Sequence, residues 1–456
     1  MKDRTRPVTG LASDDASGLR RYGRLWRVSY PVLVTSVATL LLTIVDSVLL
    51  GHFSTAALAA VALAAPVYLI GNVVVRGWAT ATQVLVARRS GAGQLTQVAT
   101  LTDVGLAVGV ALGAIVGVLL LVSAPVVLRL IGADTPVVGQ AVGYLRVVAA
   151  AAPFAAAMFL LQAAFAGLGF TRVAMVMALL MNAVHMPLAI VLIFGAQLGV
   201  VGAALSTVIS TAAGAGFLLW YGRRRLPTRL PALRARNLRA GWAVLPRLWA
   251  IGWPEMSMLF VGYVVEVVVL ALVARIGVIE LAAYRVLENV LGLSAMALMA
   301  ISTGITVLAG QHLGAGNADR AVGVYRAGVV LALPLALLPT LPVLTGPHLV
   351  FGLFTTDVHV LGAAASASLA AVLGLLPLAY VFSLVGLLRA AGESRRVMLA
   401  SFTADFLLLI PLAWLLGLRL GLGLNGIFLA WIAFGIGYWA ILHRRYRTGA
   451  WRSAAI

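Results

Sequence analysis

The chain repeats itself at a constant offset, and this repeat restricts the possible folds more than any other feature. Five motifs of the first copy recur in the second. Arg24-Leu25-Trp26 recurs as Arg247-Leu248-Trp249, Pro31 as Pro254, and Val84-Leu85 as Val307-Leu308. Gly91-Ala92-Gly93 recurs as Gly314-Ala315-Gly316, and the pair Gly169 and Arg172 recurs as Gly392 and Arg395. At the same offset, Asn182 in the first copy is replaced by Asp405 in the second. Because the register of these motifs does not drift, two parallel copies of one structural unit are predicted.

The amino-acid composition places both copies in a membrane. Of the 456 residues, 62% are hydrophobic and only 10% are charged, which is more apolar surface than a soluble domain can bury. Apolar runs of about 20 residues, the length that a helix needs to cross a bilayer, recur along the chain. We predict an all-α polytopic membrane protein with twelve spans in two pseudo-symmetric six-helix lobes. The spans are 26–50, 57–87, 101–128, 137–165, 173–195, 200–222, 248–274, 281–312, 321–345, 359–389, 397–418 and 422–443.

Arginine-rich loops alternate with loops that hold few arginines. By the positive-inside rule, this pattern predicts that both termini are cytoplasmic. The net charge of +19 is therefore interpreted as membrane topology rather than as a face that binds nucleic acid. The predicted domains are a cytoplasmic tail at 1–24, a first lobe at 25–222, a basic cytoplasmic linker at 223–246, a second lobe at 247–443 and a cytoplasmic tail at 444–456.

Asp46 is the leading candidate for a functional residue within the membrane. An ionisable side chain in hydrocarbon costs several kcal/mol, which makes it a functional candidate by default. Asp46 lies near the outer end of span 1, in an apolar stretch without a basic residue near it in sequence. Such a carboxylate could carry a proton or bind a cation. The alternative is a buried aspartate that only forms structural hydrogen bonds with a neighbouring helix.

The second copy carries most of the other ionisable residues within predicted spans. Glu255 and Glu266 lie in span 7, Arg285 and Glu288 in span 8, and Asp405 in span 11. Arg285 and Glu288 are three residues apart on one helix and can pair. Together with Glu266 they form either a structural ion network or a second-lobe site for a substrate cation or a proton. Glu255 could instead stabilise the positive N-terminus of its helix.

Span 5 combines several polar and helix-modifying residues, namely Asn182, His185, Met186 and Pro187. Pro187 removes a backbone hydrogen bond, so that a freed carbonyl could bind a cation or the helix could bend. His185 is interpreted as a packed helical residue rather than a metal ligand, because no second ligand lies at a suitable spacing. The possible cavity-lining residues are Tyr30, Pro31, Met186, Pro187 and Glu255.

No sequence motif indicates an enzyme. Neither Gly-Ala-Gly turn carries the Gly-Lys-Ser/Thr of a phosphate loop, and no Ser/His/Asp arrangement stands out. The chain has no cysteine, which excludes disulfides and cysteine metal sites. We therefore expect no cofactor and no metal. A duplicated polytopic chain with internal carboxylates is typical of a secondary transporter, which would draw on an ion gradient.

A series of motifs in a fixed order connects the chain to a known family. The motifs are Tyr30-Pro31, Ile44–His52 with the alanine-rich stretch Ala56–Ala65, Gly199–Thr207, Leu308–Asn317 and Leu388–Arg395. Each alone is modest, but their order and spacing are specific and cover almost the whole chain. Together they resemble the multidrug and toxic compound extrusion (MATE) family, and its DinF-like branch in particular.

The resemblance implies an antiporter that exports organic, often cationic, compounds in exchange for protons or sodium, while two lobes rock between outward-open and inward-open states. The family's first-lobe cation site has an aspartate on helix 1, an asparagine on helix 5, an aspartate four residues later and a threonine on helix 6. Asp46, Asn182 and Thr207 match, but Met186 replaces the second aspartate. Because one carboxylate is missing, sodium would be poorly coordinated. The resemblance therefore favours proton coupling through Asp46, with sodium as the alternative.

The sequence is also compatible with other functions. A lipid-linked or oligosaccharide flippase of the same superfamily would be expected to carry cationic residues in its cavity, whereas the intramembrane residues here are mainly acidic. A narrow-specificity metabolite exporter is a further alternative, as is a membrane scaffold or channel that transports nothing. We expect small organic substrates and membrane lipids as partners, no nucleic acid, and a monomer in the plasma (inner) membrane. Lys2 is the only lysine, a bias that suggests a bacterial source.

Overall fold

The computed structural model describes residues 18–132, 136–226, 230–232 and 235–453, and these residues form helices without any strand. The helices are α1 (Gly18–Phe53), α2 (Thr55–Gly71), α3 (Val73–Gly91), α4 (Leu95–Gly132), α5 (Pro136–Ala149), α6 (Ala152–Gly167), α7 (Thr171–Ile190), α8 (Gly199–Arg224), α9 (Ala235–Ala240), α10 (Leu245–Ile276), α11 (Val278–Gly314), α12 (Ala318–Leu337), α13 (Leu341–Thr345), α14 (Pro347–Phe351), α15 (Val358–Leu373), α16 (Leu375–Ala390), α17 (Ser394–Ala404), α18 (Ile410–Leu412) and α19 (Gly423–Arg447).

Within the described residues, ten helices are long and apolar enough to cross a membrane, and the number rises to twelve if each of two bent pairs counts as one span. The axes of α2 and α3 differ by 41°, and those of α5 and α6, which together form span 4, differ by 50°. At the first bend, Asn72 donates from Nδ2 to the Tyr68 carbonyl at 2.8 Å, which satisfies a carbonyl near the break in the helix. The predicted all-α polytopic fold is confirmed, with spans 2 and 4 bent rather than straight.

The helices pack into two compact units, and two helices are each divided between them. The first unit runs from Val34 to Met256, and the second contains the described part of α1 up to Leu33 together with the chain from Ser257 onward. Both divisions fall two residues after a repeated proline, Pro31 in α1 and Pro254 in α10. The repeat is therefore preserved in the packing as well as in the sequence.

This division differs from the lobe boundaries of 25–222 and 247–443 predicted from the sequence. The first turns of α1 bury Leu25 and Ser29 within the second unit. The first turns of α10 bury Leu248 and Ile251 within the first unit. A boundary drawn at the apolar runs misses this exchange, because burial of these turns depends on their neighbours in space.

Parts of the linker and of the C-terminal tail pack against the helices. In the linker, Leu230 is buried, and Asn237 on α9 donates from Nδ2 to Oδ2 of the buried Asp103 at 2.7 Å. In the tail, α19 continues to Arg447, and Trp451 is buried with its indole N–H bonded to the Tyr446 carbonyl at 3.0 Å. Residues 1–17, 227–229, 233–234 and 454–456, which the sequence assigns to tails and linker, lie outside the described residues.

The two copies differ by a one-residue insertion in span 11. Asp405 follows Asn182 at the constant offset of the repeat. After this point the offset is longer by one residue. Pro411 corresponds to Pro187, and Gly426 corresponds to Gly202, at this longer offset. In the first unit α7 is regular over this stretch, whereas the second unit has a π-helical turn at Asp405–Leu409. A π-helical turn holds one more residue than an α-turn, so this turn accommodates the insertion.

In both copies, a π-helical segment follows the proline and its backbone lies against a glycine on the next helix. These segments are Val191–Gly195 and Ala413–Arg419. A Cβ at Gly202 would lie 2.7 Å from the carbonyl carbon and oxygen of Leu192, and a Cβ at Gly426 would lie 2.5 Å from those of Leu416. The backbones approach so closely that only glycine fits without displacement.

Gly202→Ala is expected to destabilise the protein by about 1–3 kcal/mol, because the added methyl group would push backbone against backbone. Gly216→Ala on the same helix is the matched control, since its Cβ would meet no atom within 4 Å and alanine is the better helix former. Thermal unfolding in detergent measures both. A melting temperature for Gly202→Ala equal to that of Gly216→Ala would contradict the packing described here.

Candidate functional site

Asp46 on α1 and His185 on α7 form a largely buried pair in the first unit. The distance from His185 Nε2 to Asp46 Oδ1 is 2.7 Å. The His185 side chain is 0% exposed and that of Asp46 is 14% exposed. No basic residue lies near Asp46 in sequence, and its partner in the structure comes from a helix that is distant in sequence.

Ser210 extends this pair into a chain of hydrogen bonds across three helices. The distance from His185 Nδ1 to Ser210 Oγ is 3.2 Å, and Ser210 Oγ donates to the Thr207 carbonyl at 3.2 Å. When both imidazole nitrogens donate, Ser210 accepts from Nδ1; when the ring is neutral, the hydroxyl can rotate and donate to it. The chain of Asp46, His185 and Ser210 therefore accommodates the histidine in either protonation state.

Asn182 and Thr207, the other residues predicted for this site, bond to backbone. Asn182 donates from Nδ2 to the Ala38 carbonyl on α1 at 3.1 Å and to the Ala178 carbonyl at 2.9 Å. Thr207 donates from its hydroxyl to the Ala203 carbonyl of its own helix at 3.0 Å. Asn182 thus joins α7 to α1 below Asp46, while the side chain that reaches His185 from α8 is Ser210 rather than Thr207.

Met186 and Pro187 are exposed on a different side of α7 from the buried His185. The family resemblance implies a carboxylate four residues after Asn182, where this chain has Met186. The ionisable residue that contacts Asp46 follows Asn182 by three residues. The interpretation of His185 as a merely packed residue is therefore corrected. The sequence did hold a signal for its role, because His185 is an ionisable residue inside a span and lies next to the expected position.

The predicted cluster of Glu266, Arg285 and Glu288 is present in the second unit. Arg285 Nη1 lies 2.7 Å from Glu288 Oε2 and 4.0 Å from Glu266 Oε1. The side chains of Glu266, Arg285 and Glu288 are 51%, 49% and 34% exposed. Glu266 and Glu288 each lie ten residues from the α10–α11 turn, about 15 Å along their helices. Charged side chains at that depth of a membrane span generally face the bundle interior or a water-filled cavity rather than lipid.

The remaining candidates lie in different surroundings. Asp405 is 7% exposed and accepts a hydrogen bond from the Ser401 hydroxyl at 3.1 Å. Glu255 is 2% exposed and lies ten residues into α10, so the expectation that it stabilises a helix N-terminus is wrong. In the second unit, Pro31 is buried and Tyr30 is partly buried beside the Trp26 ring.

Two repeated bundles of membrane helices with ionisable residues inside them define the general class of polytopic proteins to which secondary transporters belong. The sequence profile of the MatE family matches residues 31–191 and again residues 254–415. The chain therefore belongs to the MATE family of membrane transporters and is a multi-pass membrane protein. The resemblance seen in the sequence is confirmed for the family, while the DinF-like branch stays a prediction.

Individual relatives agree with this assignment. The chain is 26% identical to the probable multidrug resistance protein NorM of Thermotoga maritima, over 98% of this chain and 96% of that protein. It is 30% identical to the probable multidrug resistance protein NorM of Aromatoleum aromaticum, over 77% and 76% of the two chains. A solved multidrug resistance MATE family transporter in an outward-facing conformation superposes with a TM-score of 0.89 at 20% identity, covering 98% of this chain and 99% of that one.

Proposed function

We propose that the protein is a secondary active antiporter that exports organic cations in exchange for protons. The buried pair of Asp46 and His185, at 2.7 Å, carries this proposal, because it places two groups able to exchange a proton where α1 meets α7. The multidrug resistance names of the relatives support export of organic compounds. Both termini would face the cytoplasm of a bacterial inner membrane, and the transporting unit would be a monomer.

Proton binding at the pair would change how α1 is held. With one proton between them, Asp46 and His185 carry no net charge and share a short hydrogen bond. A second proton neutralises Asp46 and leaves a buried imidazolium without its counter-charge, which costs about 3–5 kcal/mol in comparable buried pairs. Separation of α1 from α7 relieves that cost. Protons from outside would thus favour one conformation of the two rocking lobes and release of substrate to the exterior.

The cluster of Glu266, Arg285 and Glu288 supports a cationic substrate. Two carboxylates and one guanidinium leave a formal excess of one negative charge. The carboxylates are 51% and 34% exposed, so an organic cation can approach them from water without displacing helix packing. A flippase for anionic lipid-linked sugars would need the opposite charge at such a surface.

Glu266→Gln/Glu288→Gln is expected to raise the KM for a cationic dye about tenfold, equivalent to about 1.4 kcal/mol of lost binding. The amides keep the shape of the side chains but remove both negative charges. Glu280→Gln, in the first turn of the same helix α11, is the control and should leave KM unchanged. Equal KM values for the double variant and the wild type would contradict cation binding at this cluster.

Efflux of a cationic dye from proteoliposomes tests the proposed function. Wild-type protein should export the dye under an imposed proton gradient and not under a sodium gradient of the same size. Sodium-driven efflux would show that the coupling ion is wrong. The absence of gradient-dependent efflux for a panel of cationic dyes would favour the flippase or a narrow-specificity metabolite exporter.

A further inference from the structure

Asp405 is a buried carboxylate of the second unit, 7% exposed, and it stands where the two copies differ. The counterparts of Asp46 and His185 in the second copy are Val269 and a leucine, either Leu408 or Leu409 depending on where the inserted residue is counted. The chain of Asp46, His185 and Ser210 therefore has no equivalent at the matching positions. Instead, the second copy has Asp405 where the first has Asn182.

The backbone at Asp405 departs from the regular helix. Asp405 is the first residue of the π-helical turn Asp405–Leu409, which accommodates the residue inserted relative to the first copy. Such turns arise inside α-helices chiefly as single-turn bulges and are frequent at functional sites. The carboxylate and the bulge thus occur together in one copy and are both missing from the matching stretch of the other.

The side chain of Asp405 accepts a hydrogen bond from the Ser401 hydroxyl, one turn earlier, at 3.1 Å. The charged residues of α17 and α19, which pack against the π-helical turn, lie towards the opposite end of these helices. They are Arg395, Arg396, His443, Arg444, Arg445 and Arg447. Arg395 and Arg396 precede Asp405 by about 14 Å along the helix, and Arg396 and Arg445 both pair with Glu393, at 2.9 and 2.6 Å.

A carboxylate in this setting is costly when charged, because hydrocarbon and packed side chains replace its water. A hard metal cation would require several oxygen ligands, whereas the contacts described here supply one carboxyl group and one hydroxyl. A proton requires only the carboxyl group. Protonation would also turn Asp405 from an acceptor into a group that can donate, next to a turn whose hydrogen bonding already departs from the α-helical pattern.

We propose that Asp405 is a second proton-binding site and takes up one proton in each transport cycle, in the unit that lacks a counterpart of the Asp46–His185 pair. The role of Asp405 in the transport cycle rests on the proton-coupled export proposed above. Proton binding by Asp405 does not depend on that proposal. The two halves of the transporter would then use the same helix of the repeat, span 5 and span 11, but different residues on it.

Infrared spectroscopy of the purified protein tests proton binding directly. As the pH is lowered, the wild type should develop a C=O stretching band of a buried carboxylic acid that is absent from Asp405→Asn and retained in Asp46→Asn. Ser401→Ala should keep the band and move it to higher wavenumber, because the carbonyl loses its hydrogen bond. Asp319→Asn, an exposed carboxylate on the surface of the second unit, is the control. Asparagine already occupies the matching position 182, so Asp405→Asn should fold.

Transport separates this proposal from the proposed function. The number of protons exchanged per dye molecule should fall by one in Asp405→Asn relative to wild type, while export remains proton-driven. The assignment of Asp405 would be overturned if Asp405→Asn kept the infrared band of the wild type, or if its proton-to-dye ratio equalled that of the wild type. Either result would leave the Asp46–His185 proposal standing. A wild type that exports dye without protons would overturn the coupling role for both sites.

Discussion

Asp46→Asn is expected to reduce proton-driven efflux to the level of protein-free liposomes while the protein stays folded. The amide keeps the shape of the carboxylate, and its oxygen can still accept from His185 Nε2, which lies 2.7 Å from Oδ1 in the wild type. It cannot take up a proton, so the external proton gradient no longer acts on the α1–α7 contact. Dye efflux from proteoliposomes under a fixed proton gradient measures the loss.

Ser47→Ala is the matched control for this variant. Ser47 follows Asp46 directly, and its hydroxyl donates to the Thr43 carbonyl of its own helix at 2.9 Å. Efflux by Ser47→Ala should equal that of wild type. The account would be wrong if Asp46→Asn exported dye at the wild-type rate. It would also be wrong if the variant failed to fold, since Asp46 would then be a structural residue.

His185→Leu is expected to lower the free energy of unfolding by about 3–5 kcal/mol and to abolish coupled efflux, because an unpaired buried charge is strongly destabilising. The substitution removes the partner of a carboxylate that is only 14% exposed. It also removes the group that Ser210 contacts. The change in stability is measured by thermal or denaturant unfolding in detergent, and efflux as for Asp46→Asn.

Asp46→Val/His185→Leu separates stability from transport. The second unit has the buried Val269 and a leucine at the matching positions, so the repeat tolerates apolar side chains at both positions. Replacement of a buried ion pair by apolar residues of similar volume is often neutral or stabilising. The double variant should recover most of the stability lost in His185→Leu but none of the efflux. A double variant no more stable than His185→Leu would show that the pair is not the cause of the loss.

The sequence predicted the parts of the fold that depend on local patterns and on the repeat. Helix length and hydropathy indicated the twelve spans, and the constant offset indicated the duplication. Asp46 was a candidate because an ionisable residue inside an apolar run is visible in one dimension, and Asn182 because of the repeat and the family resemblance. The cluster of Arg285 and Glu288 followed from helix geometry alone, because residues three apart share a face.

Contacts between distant segments account for what the sequence missed. His185 and Asp46 are 139 residues apart, and hydropathy cannot show that the packing of two helices brings them together. Asp103 and Asn237 are joined across 134 residues, so the prediction of a basic cytoplasmic linker gave no sign that Asn237 bonds to a buried carboxylate. The exchange of the first turns of α1 and α10 between units has the same origin, since periodicity describes one helix and not its neighbours.

The insertion at Asp405 was overlooked for a different reason. The repeat was recognised from motifs that keep one offset, and the offset lengthens by one residue only after Asn182 and Asp405. The π-helical turn at Asp405–Leu409 made the change visible. The longer offset between Pro187 and Pro411 was the available signal.

In the proposed mechanism, proton movement and substrate movement are coupled in opposite directions through Asp46 and His185. A dye gradient imposed across proteoliposomes at equal pH and equal sodium on both sides tests it, with a pH-sensitive probe in the lumen. Dye flux is expected to drive protons the opposite way in wild type, without dependence on sodium, and Asp46→Asn is expected to show no such pH change. Dye flux without a pH change in wild type, or an undiminished pH change in Asp46→Asn, would contradict it.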